Sequence, residues 1–324
     1  MLLALSLLGG VFLTLAASAL FTDAAERLGA RMELGSSFVG SVISPLFTSA
    51  PELVVLLVSV LLYGGAAGDE VGAGTVLGEP LLVSTVSAPA LLLAAVAGQR
   101  ARIRGPGVRV DAGISIPYAV FASLYPLVLL PAAIPASRTP VAAALLAGYA
   151  IHVGAMSRRM GPGVESEGPA WLERSLGVAG LALQLASSVP LLTVGSYELV
   201  ASTVELSGVL RIQPVSLSMI LVPLATALPE TASSLIWAYR GRDNLAVGAL
   251  VGEMVMFSTV YPALGILLTD WRISAAAALG VIVTELSSIT LLLQARSGRL
   301  GAASALGAVL YAAYAASIVL GALR

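Results

Sequence analysis

Glu52 and Glu230 close two octapeptides with nearly the same wording, Pro45-Leu46-Phe47-Thr48-Ser49-Ala50-Pro51-Glu52 and Pro223-Leu224-Ala225-Thr226-Ala227-Leu228-Pro229-Glu230. Both read P-L-x-T-x-x-P-E, 178 positions apart, and both lie inside apolar runs. A carboxylate at the depth of a bilayer carries a penalty of roughly 2.5 kcal/mol or more. Proline removes a backbone donor and clashes with the carbonyl four residues back, so helix continuity is expected to fail at each glutamate. Thr48 and Ser49 lie one helical turn before Glu52, and Thr226 does the same for Glu230. Pro51 and Pro229 free the carbonyls of Phe47 and Ala225 from the helix ladder, and Pro45 and Pro223 free those of Ser41 and Met219. Each motif therefore offers a carboxylate, a hydroxyl and released carbonyls, a ligand set suited to a hard cation such as calcium.

A second pair of motifs follows the first. Gly74-Thr75-Val76-Leu77-Gly78-Glu79 corresponds to Gly248-Ala249-Leu250-Val251-Gly252-Glu253, each of the form G-x-x-x-G-E. Spaced glycines make a small-residue face that lets a neighbouring helix approach closely. Glu52, Glu79, Glu230 and Glu253 thus form two symmetric pairs inside apolar segments. Glu198 and Glu285 also fall within such segments but have no counterpart in the other half, and either interhelical bonding or a pathway lining suits them. His152 reads as a structural residue, and Asp69, Glu70, Glu165 and Glu167 read as solvated loop charge. Trp171, Trp237 and Trp271 fit anchors at the membrane interface.

The elements that must position these residues are membrane spans. The chain of 324 residues is 58% hydrophobic and 11% charged with a mean hydropathy of +0.95, which excludes an ordinary soluble domain. The apolar runs are long and unbroken, unlike the alternating segments of a membrane β-barrel. There is no Cys, so disulfides and thiolate metal sites are excluded. Apolar length predicts an all-α membrane protein of ten spans: 2–22, 35–62, 71–97, 113–134, 140–157, 178–206, 214–239, 244–268, 273–294 and 300–321. The first run has no charged segment before it and reads as a span rather than a signal peptide. All 17 basic side chains are Arg. With the N-terminus outside, 13 of them fall in inner connections, which predicts both termini outside, in the plasma membrane. The connections are short, so one membrane domain is expected over 1–324, with 1–157 and 178–324 as halves and 158–177 between them. Five spans separate the motif copies; an odd number inverts the second copy, as in secondary transporters.

The paired P-E motifs with a preceding threonine, followed by G-x-x-x-G and a polar residue in the next span, resemble the alpha repeats of the sodium/calcium exchangers. That family belongs to the cation/calcium antiporter superfamily. The resemblance covers essentially the whole chain and implies ten helices as two inverted-topology five-helix repeats, without a large regulatory loop. By resemblance, Glu52 and Glu230 match the family's central calcium-binding glutamates. Thr48, Ser49 and Thr226 match its hydroxyl and carbonyl ligands, and Pro45 and Pro223 hold positions where it uses a backbone carbonyl. The first and sixth spans resemble the pair that slides across the core. The sequence departs from the family at Glu79 and Glu253, which replace serine, at Val83 and Phe257, which replace an amide or carboxylate, and at Ala227, which replaces serine. The sodium sites are thereby altered.

Four carboxylates around one divalent ion cannot all stay ionised cheaply, and they would titrate as a coupled set. The expected function is therefore antiport of Ca²⁺, or another divalent cation, for Na⁺, H⁺ or both, by alternating access. The partners are the lipid bilayer and the transported cations; no nucleic acid and no cofactor is expected, and the oligomeric state is open. A membrane-embedded enzyme acting on lipid diphosphates would need cationic groups on the phosphate, yet no span interior holds an arginine. A passive cation channel commonly repeats its filter around an axis, whereas one inverted pair suits a closed midplane site.

Overall fold

The computed structural model describes residues 2–30, 44–157 and 169–320. Long apolar stretches without internal charge become helices because, in lipid, backbone polar groups must be satisfied within the segment. Eight helical stretches among the described residues are long and apolar enough to cross a membrane, and a ninth counts if a bent pair is one span. In chain order they begin with α1 (Leu2–Ala30) and the broken segment α2 (Ser44–Thr48) and α3 (Ala50–Leu57), which runs on as a wide π turn over Val58–Tyr63. Next come α4 (Gly65–Leu82), a second π turn over Val83–Ser87, and α5 (Ala88–Arg100). The first half ends with α6 (Ser115–Leu124), the one-turn α7 (Leu130–Ala133) and α8 (Arg138–Ser157). The second half runs through α9 (Glu173–Leu210), α10 (Pro214–Thr226), α11 (Leu228–Tyr239), α12 (Asp243–Phe257), α13 (Val260–Leu268), α14 (Ala275–Arg296) and α15 (Ala305–Val319). Eight of the expected spans coincide with these stretches and 214–239 with the bent pair; the expected span 35–62 lies partly outside the described residues, and Ala50–Tyr63 within it is a shorter apolar helix.

Burial sorts these helices into centre and rim. In the most apolar stretch of Asp243–Leu268, 83% of residues are buried, against 22% in Leu2–Ala25. α12 and α13 therefore sit in the middle, while α1 and α9 pack along each other at the edge. Their crossing is tight: a Cβ on Gly195 would lie 2.7 Å from the Thr14 nitrogen, and one on Gly10 would lie 2.7 Å from the Leu199 nitrogen. At one end of the pair, fully buried Gln184 donates to the Leu20 carbonyl and to Asp23, both at 2.9 Å, and accepts from the Leu172 nitrogen.

Three arginine-bearing connections meet at one end of the molecule, as sorting by charge requires. Arg104 grips Asp243 with both guanidinium arms, at 2.7 and 2.9 Å, and also donates to the Ala238 carbonyl. A two-residue ladder joins β1 (Val108–Arg109) to β2 (Arg299–Leu300), antiparallel. At the other end Arg138 donates to the carbonyls of Ile266 and Thr269, and Asp69 accepts from the Asp270 nitrogen.

Two expectations are corrected here. Trp271 is not an interfacial anchor but is 1% exposed, its indole donating to the Val128 carbonyl at 2.8 Å and its ring filling the space above Gly265. Asp69 and Glu70 are not loop charge; they lie in the opening turns of α4, and Glu70 accepts from the Val215 nitrogen. Trp171 is 65% exposed, in keeping with an anchor. Arg31, Arg158, Arg159, Glu165 and Glu167 lie outside the described residues.

Candidate cation site

The two P-L-x-T-x-x-P-E motifs both break their helices, but earlier than expected. The interruption falls at Ser49 (φ −87°, ψ 9°) and at Ala227 (φ −83°, ψ −12°), before Pro51 and Pro229 rather than at the glutamates. The reason is positional: proline is tolerated in the first turn of a helix, where its missing N–H would have been unpaired anyway. A new helix therefore starts just ahead of each proline, with Glu52 and Glu230 in its first turn. Carboxylates are favoured there by the positive end of the helix dipole. The second break bends the chain by 58°.

The third spans carry a matching irregularity. The offset that lays Gly74–Glu79 on Gly248–Glu253 also lays Ser84-Thr85-Val86 on Ser258-Thr259-Val260. The first triplet lies in the π turn; of the second, Ser258 and Thr259 form the break between α12 and α13 and Val260 opens α13. Wide turns of this kind gather at functional sites.

Side chains from the two halves interlock at these breaks. Thr48 donates to Glu253 Oε1 at 3.1 Å. Thr226 faces Glu52, while its hydroxyl proton goes to the Val222 carbonyl at 3.2 Å, leaving both carboxylate oxygens of Glu52 without a bonded partner. Glu79 lies within electrostatic reach of Glu52 and Glu253, and its two oxygens are also buried and unpartnered. Glu52, Glu79 and Glu253 are 2%, 1% and 4% exposed. Buried oxygens without donors signal a place where something else supplies the compensating charge or hydrogen. Glu230 stands one turn beyond Thr226, half-buried, with Oε1 enclosed and without a partner.

The glycine face of the first half does what its spacing suggests, whereas in the second half a Cβ on Gly248 would meet nothing within 4 Å. A Cβ on Gly78 would lie 2.5 Å from the Met219 carbonyl oxygen, and one on Gly74 would overlap Ser218. α4 is thereby pressed flat on α10, carrying Glu79 next to the broken span of the other half. Met219 is also the residue whose carbonyl Pro223 cannot bond.

The remaining candidates are more committed. The Pro45 carbonyl accepts from the Ser49 nitrogen at 3.0 Å and from Ser49 Oγ, and the Pro223 carbonyl accepts from the Ala227 nitrogen at 2.9 Å. Ser49 Oγ also meets Tyr261 Oη at 2.9 Å. Among the described residues no three acidic, histidine or cysteine side chains converge as a metal cage of their own. An ion here would need hydroxyl and carbonyl oxygens as well as carboxylates, which is what the two breaks supply.

Sequence reading missed Tyr261, and Ser87 with Thr231, whose hydroxyls meet at 2.8 Å. The signal was present: the offset of the glycine motifs, carried a few residues further, lays Ser87 on Tyr261.

Comparison with known proteins bears on the family and the fold. The family model described as sodium/calcium exchanger protein matches residues 2–157 and 180–321. The putative antiporter CaxA of Alkalimonas amylolytica is 35% identical over 133 residues, 41% of this chain and 39% of that protein, so the chain spans about two fifths of that relative's length. The crystal structure of the H⁺/Ca²⁺ exchanger CAX shares the fold with a TM-score of 0.75 at 16% identity, covering 98% of this chain and 82% of that one. A structure of the sodium-calcium exchanger NCX_Mj does so with a TM-score of 0.60 at 20% identity, covering 98% of each. One family model spanning both motif pairs, and a fold shared from end to end with two exchangers, lead to one assignment: the chain is an integral membrane protein that belongs to the sodium/calcium exchanger family.

Proposed function

We propose that this protein is a secondary-active antiporter exchanging Ca²⁺, or another divalent cation, for H⁺ or Na⁺ by alternating access at a midplane glutamate site. Ten spans in two inverted halves of five would carry it, with the arginine-rich end in the cytoplasm and both termini outside. The observation that carries the reading is the interlock across halves. Thr48 of the first motif bonds Glu253 of the second half, Thr226 of the second motif faces Glu52 of the first, and Glu79 feels both carboxylates. An empty site with several buried carboxylates and a loaded, neutralised one would favour different orientations of the protein. The α1–α9 pair, peripheral and joined to its partner through glycines, is suited to move against the central helices.

The coupling ion follows from two side chains. Val83 and Phe257 hold positions where the resemblance would place an amide or carboxylate, and both are buried, 2% and 1% exposed. They offer no oxygen to sodium, while two additional glutamates offer sites for protons. The reading therefore favours H⁺ as the exchanged ion, as in the name of the H⁺/Ca²⁺ exchanger CAX whose fold the chain shares.

Calcium flux in proteoliposomes, with proton and sodium gradients imposed separately, tests this on wild type and Glu52→Gln. Uptake driven by a pH gradient without sodium is expected, together with its loss in Glu52→Gln at unchanged folding. Robust uptake under a sodium gradient but none under a pH gradient would sink the proton version. Exchange retained by Glu52→Gln would remove Glu52 from the site.

A further inference from the structure

Tyr261 sits where the two halves touch. Its ring stacks on Phe257, with centroids 4.5 Å apart and 29° between planes, and the residue is 2% exposed. Its hydroxyl reaches across to the broken span of the first half. There Tyr261 Oη donates to the Ser49 carbonyl at 2.7 Å and meets Ser49 Oγ at 2.9 Å. The Ser49 carbonyl is open to this bond because its own helix closes on it poorly: the Leu53 nitrogen stands 3.4 Å away. Tyr261 also lies within electrostatic reach of Glu52 and Glu253, so its hydroxyl borders the carboxylate cluster.

The protons can be counted. Ser49 Oγ touches two oxygens, the Pro45 carbonyl and Tyr261 Oη, and Tyr261 Oη touches two, Ser49 Oγ and the Ser49 carbonyl. That makes three contacts and only two hydroxyl protons, because each hydroxyl donates once. With the tyrosine proton on the Ser49 carbonyl, the serine proton has two oxygen destinations, beside the weakly accepting Met256 sulfur at 3.8 Å. On the Pro45 carbonyl it ties two candidate ligand oxygens to each other. On Tyr261 Oη it leaves the Pro45 carbonyl with the Ser49 amide alone, at 3.0 Å, and a lone pair open.

We propose that Tyr261 is a positioning residue for the cation site: by accepting the Ser49 hydroxyl proton it releases the Pro45 carbonyl to bind the cation. The proposal rests on the antiporter reading above and adds to it a residue outside both motifs. The other half supplies an internal control. Its break carries Ala227 in place of serine, so the Pro223 carbonyl accepts only the Ala227 amide and has no hydroxyl to be relieved of. The residue corresponding to Tyr261 there is Ser87, which reaches the Thr231 side chain and no backbone carbonyl. The tyrosine occurs only where a serine must be turned away.

The test is Tyr261→Phe, which keeps the ring, its stack and its volume and removes one oxygen. Calcium-dependent exchange in proteoliposomes and the rise in melting temperature with added Ca²⁺ are measured together. With its alternative acceptor gone, the Ser49 hydroxyl stays on the Pro45 carbonyl. Half-saturating Ca²⁺ is expected to rise roughly tenfold, the scale of one hydrogen bond to a charged group, with the maximal rate kept within about twofold. In a Ser49→Ala background the same substitution is expected to do nothing further, because no hydroxyl remains to block the carbonyl. An unchanged half-saturation in Tyr261→Phe, or an equal rise in both backgrounds, overturns the proposal. Should Tyr261→Phe not fold, Ser49→Ala alone decides: a rise in half-saturation beyond roughly tenfold would make the serine oxygen the essential ligand and overturn it, and a smaller one supports it. Wild type that neither exchanges Ca²⁺ nor is stabilised by it overturns the antiporter reading and this proposal together. Wild type that does both, beside an unaffected Tyr261→Phe, overturns this proposal alone.

Discussion

At the scale of single residues, the site is an arrangement of oxygens with too few protons. Glu52 and Glu79 are enclosed without donors, whereas Glu253 holds the Thr48 hydroxyl at 3.1 Å. Thr48 is thus a strut between halves as well as a candidate ligand. Thr48→Val keeps the shape and deletes the donor. Half-saturating Ca²⁺ is expected to rise by roughly tenfold or more, since a hydrogen bond to a charged group contributes about 1.5–3 kcal/mol. Titrating exchange against Ca²⁺ in proteoliposomes checks it, and an unchanged curve would leave Thr48 a bystander.

At the scale of elements, two close helix contacts do different jobs. Gly78 lets α4 lie against the Met219 backbone, and any side chain there must force the pair apart, since a Cβ would come within 2.5 Å of a carbonyl oxygen. Gly78→Ala is expected to destabilise the protein by about 1–3 kcal/mol, the cost of overpacking a fitted interface, read as a lower melting temperature in detergent. Gly195 instead joins the peripheral α9 to Thr14 of α1. Gly195→Leu would prop that crossing open and is expected to slow turnover several-fold while leaving the Ca²⁺-dependent rise in melting temperature intact. Equal loss of both would mean that the crossing is part of the site rather than of the moving pair.

At the scale of the whole molecule, the Arg104–Asp243 ion pair ties the basic end together. Arg104 and Asp243 have side chains 4% and 11% exposed, and the aspartate also accepts from the Arg109 nitrogen. Arg104→Ala strands a nearly enclosed carboxylate between three connections. A loss of about 3 kcal/mol is expected, the lower end for breaking a buried pair, seen as an earlier midpoint in chemical or thermal unfolding. The same substitution in the presence of Asp243→Asn is expected to cost less, because the stranded charge is gone.

The sequence by itself determined the class and the apolar helical stretches. Long apolar runs leave no alternative to helices in lipid, and Pro51 and Pro229 each stand just after a break, whereas Pro80 beside Glu79 leaves α4 uninterrupted. What the sequence could not place were contacts made where helices and turns meet in space. Whether Glu253 would meet Thr48, whether Trp271 would stay at the surface or fill the gap above Gly265, and that Tyr261 would reach Ser49 all depend on how helices cross. Periodicity reports which residues share a face, but not which face of which other helix lies opposite. The position of each break was decided the same way: proline forbids a bond to its fourth predecessor, yet the turn at which the chain bends is settled by its neighbours, here one step ahead of Ala50 and of Leu228.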